Sequence, residues 1–491
     1  MLHLQHIYAN IVLRKNQVLG EGNLIMKRFI TLAIIASMAI SYTVPVLAIQ
    51  EANTKKTTTI TESKNKKKES DKIKPTENKY DYINLNWWQG FNDEYLNSYI
   101  VRAIENNKDL KMATLTIDEF YENVKMQRAS QLPTIHAGFL PGLADIGEGS
   151  TDSYAFPIMA SYEIDIYGKN SNKTNSVRKL WESSILDEKA AYISIASAVG
   201  STYVNIVKMD AMIDLQEDIV KLREDIYKMM EISNREGLVS TSDLVKANQS
   251  YINGVTDLTE LKKNRTKLLH QLAVLTGDSP NNIEDYARID YKKLAFSGNI
   301  PETVPSEIIM NRPDYLKAEK MLEKAGLDVR AARKECLPAL NLGGLVFFNA
   351  QNIGSLFTTS NALWGIGGGL IHPIFAGGKL RANLKSKKIA YEKSLKNYEK
   401  VNLTSMQEVN DTLVSVNMDK EKLAKQKEIQ GLEVKDFELS KLKYQEGVIA
   451  RLDLNQREEN LLSVNKMIYA SEFDCMIDYI SYYKAVAAQT L

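Results

Sequence analysis

Apolar residues late in the chain keep the spacing of one helix face: Met406, Val409, Leu413 and Val416 follow one another at steps of three and four. Between Pro133 and Gly168 the period changes. Tyr154, Phe156, Ile158, Ala160, Tyr162, Ile164 and Ile166 take alternate positions, and Ser161, Glu163 and Asp165 take the positions between them. This alternation predicts a strand with one apolar and one wet face. In the second half Trp364, Ile366, Leu370 and Ile374 alternate likewise, Leu340, Leu342 and Val346 begin a partner strand, and a loop rich in Asn, Ser, Thr and Gly runs from Asn349 to Asn361. Strands of about ten residues with one apolar face suit a bilayer crossing.

Proline is missing from 158–279 and from 374–491. Because proline costs a helix interior about 3 kcal/mol, its exclusion over such spans predicts very long helices. Landmarks also recur. Arg128 to Ile135, centred on Leu132-Pro133, parallels Arg333 to Leu340, centred on Leu337-Pro338; Gly168-Lys169 parallels Gly378-Lys379; Glu236-Gly237-Leu238-Val239 parallels Glu446-Gly447-Val448-Ile449. The order is the same and the offset nearly fixed, the signature of an internal duplication. The expected fold class is α+β and mostly α-helical, with long coiled helical hairpins and four strands per protomer. The first repeat, 81–300, is expected to hold strands at about 134–167 and helices at about 169–236 and 242–276. The second, 301–491, is expected to hold strands at about 339–376 and helices at about 379–446 and 452–487. At about 1.5 Å per residue the longest of these reach roughly 100 Å, a length that needs neighbouring coils.

Charge and composition narrow the function. Lys and Arg total 62 against 61 Asp and Glu, so no basic surplus points to nucleic acid, and two cysteines make no disulfide framework. Met26-Lys27-Arg28, the apolar Phe29–Ala39 and the small residues at Val46-Leu47-Ala48 give residues 1–48 the layout of a cleaved signal peptide, with 1–25 read as an early start. A membrane anchor is the competing reading, and Ser41, Thr43 and Pro45 interrupt it. Residues 49–80 read as a disordered Lys-rich linker; Lys66-Lys67-Lys68 either is solvated or touches lipid head groups. No cysteine precedes Cys336, so the mature chain is expected to be exported without a lipid anchor. The five histidines are scattered, and no catalytic, cofactor-binding or metal site is expected.

An open four-stranded sheet cannot sit in hydrocarbon, because its edges would expose unpaired N–H and C=O groups. Two copies would give eight strands, a barrel filled by side chains; three give twelve, which leave a lumen. Glu163 and Asp165 on the inner strand face favour the wetter barrel, and a trimeric twelve-stranded barrel continued by a helical tunnel is expected.

Trp87-Trp88-Gln89-Gly90-Phe91, Asn106 to Leu110, Tyr162 to Lys169, Asn311-Arg312-Pro313-Asp314 and Pro373 to Lys379 resemble TolC-family outer-membrane efflux proteins, especially the NodT-like subgroup serving RND pumps. The resemblance spans about 85–488 and implies a homotrimer in outer-membrane lipid that extends into the periplasm. It further implies a periplasmic adaptor (membrane fusion) protein and an inner-membrane RND or ABC-type transporter as partners. Many members of the subgroup carry an acylated N-terminal cysteine, which this chain lacks. By the same resemblance the tip turns Gly237, Leu238, Ser240, Asp243 and Gly447, Val448, Ala450 dock the adaptor, besides closing the hairpins with glycine caps. Tyr444 and Asp453 match a gating tyrosine and a pore-lining aspartate, with Gln456 where some members have a second aspartate; the plain alternative for Asp453 is a helix-start residue. Gly168, Gly377 and Gly378 mark strand-to-helix corners. The leading function is a passive outer-membrane duct of a tripartite efflux system for drugs or other small molecules. A type I secretion exit duct and a pore-free periplasmic coiled-coil scaffold are the alternatives.

Overall fold

A computed structural model describes residues 87–145, 150–281, 286–297, 300–301 and 303–487, all within the unit Lys79–Leu491. The signal peptide and linker expected at 1–48 and 49–80 lie outside the described residues. After a 3-10 turn at Trp87–Phe91 come α1 (Glu94–Asn106), α2 (Lys108–Ala129), β1 (Thr134–Ala137), β2 (Leu140–Asp145), β3 (Ser150–Ile164), α3 (Lys169–Arg235) and α4 (Thr241–Thr276). The second half holds α5 (Ser306–Met310), α6 (Pro313–Lys334), β4 (Ala339–Ala350), β5 (Ala362–Ile371), α7 (Lys379–Gln445) and α8 (Arg451–Ala485). The two long helices, α3 and α7, are each 67 residues, about 100 Å at the rise of an α-helix.

Polar pairs show how the helices lie side by side. The barrel-side part of α3 meets α2 through Thr114 and Glu188 (2.5 Å) and α6 through Lys179 and Glu323 (2.8 Å). Its tip-side part meets α4 through Lys262 and Glu217 (2.8 Å) and α8 through Lys208 and Asp474 (2.6 Å). The helices therefore line up as α2 and α4 end to end, then α3, then α6 and α8 end to end, then α7. Helix α3 has neighbours on both flanks and is buried along much of its length, whereas α7 is an edge that buries few residues. One stretch of α3 is long and apolar enough to cross a membrane by composition, but 61% of it is buried inside the protein, so its side chains serve the core. There Val199, Tyr203, Val204, Ile206 and Val207 pack against Trp87, Phe91, Leu96, Ile100, Leu272 and Phe473. Gly200 admits the Trp87 ring: a Cβ there would lie 3.1 Å from it.

The strands form one antiparallel sheet in which β1 and β2 both pair with β3, followed by β4 and β5. Four strands per chain were expected, and the first is broken into two segments. The register runs through the break without a slip, Ala137 facing Ile158 and Leu140 facing Ala155. Pro157 is the reason. Gly138 N–H reaches Pro157 O (3.0 Å), but proline has no N–H to return, and the ladder lapses there.

Facing residues share a side of the sheet. Tyr154, Phe156, Ile158, Ala160, Tyr162 and Ile164 of β3 stand opposite Ala350, Phe348, Val346, Gly344, Leu342 and Leu340 of β4. Leu370, Gly368, Ile366 and Trp364 carry that face across β5. The other side mixes Ser161, Glu163, Asn341, Gly343, Gly365, Gly367 and Gly369 with the apolar Met159, Leu345, Phe347 and Leu363. Two readings of the alternation need correction. Asp165 and Ile166 lie beyond β3 and Ile374 lies beyond β5; Asp165 accepts the Ser171 N–H (2.7 Å) at the start of α3. Glu163 stays on the strand, where Lys169 neutralises it at 2.6 Å. The wet face thus owes its character to small residues more than to carboxylates.

Arg312, whose side chain is 8% exposed, holds the second repeat together. It forks onto Asp314 (2.7 and 3.0 Å), reaches Glu408 on α7 (2.6 Å) and donates to the Ala485 carbonyl at the end of α8 (2.5 Å). Arg312→Met is expected to cost about 1–3 kcal/mol, chiefly by leaving the buried Ala485 carbonyl without its donor. Arg312→Lys should recover only part of it, since lysine cannot fork. Denaturant unfolding of both variants checks this.

Candidate functional site

The two hairpin tips are built alike at the backbone. Gly237 and Gly447 both have φ of 73°. Leu238 N–H bonds Ser233 O and Val448 N–H bonds Lys443 O, each at 2.8 Å. This is the Schellman end, which needs a left-handed residue after the last helical turn. Leu238 is 78% and Val448 69% exposed, so each tip presents one bare apolar side chain.

The side chains of the tips differ position by position. In the first, Asn234 donates to Val239 O (2.9 Å), the Ser240 hydroxyl accepts the Asp243 N–H (3.1 Å) and donates to its carboxylate (2.7 Å), and Lys246 pairs with Asp243 at 3.3 Å. The Ser240 hydrogen bond, aided by Lys246, holds the Asp243 carboxyl below its ordinary range. In the second, Tyr444 stands in place of Asn234 and Ala450 in place of Ser240. Asp453 accepts the Ala450 backbone N–H (3.2 Å), half of a capping box, since alanine has no side-chain acceptor. Arg451 lies over the Tyr444 ring, 5.7 Å from its centroid. Among the described residues no hydrogen bond joins Tyr444 to Asp453. Gln456 bonds Asn460 one turn on (3.3 Å). Arg451 had no role in the sequence reading, although its place one residue into the return helix and four past the tip glycine was visible.

A groove of about 600 Å³ opens between the hairpins beside these turns. Met230, Val239, Asp243, Leu452, Asp453 and Gln456 line it. The structure therefore brings the expected Asp243, Asp453 and Gln456 together along one groove, while Tyr444 lies outside its lining. At the far end the corner glycines take left-handed backbones, Gly168 at φ 69°, Gly377 at 57° and Gly378 at 79°. Beside the second corner Ile374 and Phe375 are 98% and 89% exposed. Among the described residues no group of His, Cys, Asp and Glu is placed to hold a metal.

Taken together, an amphipathic sheet with two open edges, set on long coils that end in bare turns, defines a chain that completes a membrane barrel and tunnel with other copies. Comparison with known proteins agrees. Residues 99–278 and 304–479 match the family described as Outer membrane efflux protein. Over 410 residues the chain is 25% identical to the probable efflux pump outer membrane protein TtgC of Pseudomonas putida, covering 82% of this chain and 84% of that one. It is 24% identical over 414 residues to the cation efflux system protein CusC of Escherichia coli K12, covering 82% and 89%. Its fold matches the CmeC outer membrane channel of Campylobacter jejuni with a TM-score of 0.76 at 23% identity, covering 91% of this chain and 94% of that one. The chain belongs to the outer membrane efflux protein family.

One carboxyl in the shaft titrates in an unusual range. Asp478 on α8 has a buried Oδ2 with no hydrogen-bond partner among the described residues. Burial, with Asp419 of α7 beside it and Asp474 nearby, raises it to about 7 against a small opposing effect of Lys422. A raised carboxyl favours the folded state while protonated, so this stability is present at low pH and is lost as pH rises toward and through about 7. The unfolding temperature of the wild type should fall as pH rises from about 4 to about 7, and Asp478→Asn should flatten that step.

Proposed function

We infer that the chain is the passive exit duct of a tripartite efflux system, closed as a homotrimer in the outer membrane. The observation that carries this is the apolar face that runs in register across β3, β4 and β5 and ends on unpaired edges at β1–β2 and β5. Hydrocarbon tolerates no such edge, so other copies must pair with it. Three copies give twelve strands and a lumen, and Gly365, Gly367 and Gly369 on the inner face of β5 leave that lumen room. A second support is the bare flank of α7, where Leu403, Val414, Met418, Leu432 and Leu442 are exposed, as are Met112, Leu115 and Met126 on α2 at the opposite edge of the wall. A pore-free scaffold has no use for the apolar sheet face.

The tips are the docking end for a periplasmic adaptor, whose helices would lie in the groove between the hairpins and cover Leu238 and Val448. An inner-membrane transporter of RND or ABC type supplies the energy, and this chain performs no chemistry of its own. Cargo is of the small-molecule class, chosen upstream. Three copies of Asp453 near one axis would make a cation-attracting ring at the narrow end. The domain division follows the same reading: signal peptide 1–48, linker 49–80, and repeats 81–300 and 301–491.

Mass measurement in detergent should return three chains, and Ile158→Arg, at the middle of β3 on the apolar face opposite Val346, should prevent assembly, because a charge on the lipid face costs up to about 4 kcal/mol near midplane. A monomer that keeps its strand signal would overturn the barrel. In planar bilayers Asp453→Ala should weaken block by divalent cations, while unchanged block would leave Asp453 a helix-start residue.

A further inference from the structure

Three polar contacts join α3 of the first hairpin to α8 of the second. Lys208 donates to Asp474 (2.6 Å), Lys466 donates to Gln216 (2.7 Å), and Arg223 donates twice to Glu459 (2.6 and 2.9 Å). Steps of eight and seven along α3 (208, 216, 223) are mirrored by steps of eight and seven along α8 (474, 466, 459). The rungs therefore share one antiparallel register, about 11 Å apart at the helical rise. They are not equal. Lys466 meets a neutral amide, and burial of its ammonium lowers its pKa, so the middle rung is the weak one. The last is the strongest: Glu459 is 15% exposed, and Arg223 also donates to Ser250 O on α4 (3.1 Å), tying three helices at one point.

The next step of seven in each direction reaches Met230 and Leu452, both lining the tip groove. Among the described residues no hydrogen bond or ion pair joins the two hairpins tipward of Arg223 and Glu459. From Arg223 to the Gly237 turn is 14 residues, about 21 Å of helix. A zipped shaft thus changes abruptly into an unbridged tip.

We propose that Arg223 and Glu459 are positioning residues that form the fulcrum of the tip: the hairpins of one protomer separate only up to this pair, and the shaft beyond it stays closed. The proposal rests on the duct reading for its consequence, since separation at the tip is what would widen the periplasmic end. Its mechanical part stands on the ladder alone.

Hydrogen–deuterium exchange on the purified full chain in detergent tests it. Glu459→Gln should speed amide exchange about tenfold or more in 224–250 and 446–458, leaving the segments around Lys208 and Asp474 at wild-type rates. The reversed pair, Arg223→Glu with Glu459→Arg, should restore protection, and Asp474→Asn, removing the first rung, should leave the tip unchanged. Wild-type exchange at the tip of Glu459→Gln would overturn the fulcrum, as would an increase spread evenly along the whole seam, the result of lost packing. If Glu459→Gln fails to fold, Arg223→Lys gives the same readout with the charge kept and the fork to three helices removed. In bilayers Glu459→Gln should raise single-channel conductance. A wild-type protein that forms no pore would overturn the duct reading, and exchange would still decide the mechanical claim.

Discussion

Everything distinctive about this chain follows from the impossibility of leaving a sheet edge open in hydrocarbon. One chain supplies β1–β2, β3, β4 and β5 in a row, with an apolar face in strict register and an unpaired strand at either end. Such a sheet is unfinished by construction. The same is true of the helical part, where α7 at one edge and α2 and α4 at the other keep apolar flanks that the fold of a single chain does not cover. Both halves of the molecule call for further copies on the same two sides, so closing the barrel and closing the tunnel are one event.

Duplication explains how so long a structure is specified by a modest sequence. Two 67-residue helices, each followed by the same glycine turn, repeat one plan. The copies diverge where their surroundings differ. Helix α3 has partners on both flanks and fills its middle with Val199, Val204, Ile206 and Val207. Helix α7 lies at an edge and is mostly polar and charged along its barrel-side half. The tips diverge too: Asn234 and Ser240 lock the first turn through their own hydrogen bonds, whereas Tyr444 and Ala450 leave the second held by Asp453 and by Arg451 over an aromatic ring.

Much of this was legible in the sequence because its causes are local. Proline exclusion marks the long helices, the change from helical to alternating period marks the strands, and paired glycines mark the turns. The errors came from extending a local pattern past its end. Asp165, Ile166 and Ile374 continue the alternation by parity, but Gly168 and Gly377-Gly378 turn the chain there, and Asp165 serves the next helix instead. The break after Ala137 was readable in principle, since Pro157 in a strand paired on both sides cannot keep its ladder whole. Arg312 was quoted as part of a motif, yet its links to Glu408 and Ala485 cross 96 and 173 residues. No period in the sequence reports on contacts of that kind.

The same holds for the links between hairpins, and it has a physical consequence. Within a hairpin, α3 and α4 or α7 and α8 are held by a short covalent turn and by continuous packing, so each hairpin behaves as one element. Between hairpins nothing covalent acts near the tip, and side chains alone decide how firmly they adhere. Met230 and Leu452 line the groove there beside Asp243, Asp453 and Gln456, and among the described residues no polar bond crosses it beyond Arg223 and Glu459. Apolar contact is tolerant of sliding, whereas a two-bond arginine fork fixes both distance and direction. Directional bonds thus fix one hairpin on the other along the shaft, and among the described residues none does so between Arg223–Glu459 and the two glycine turns.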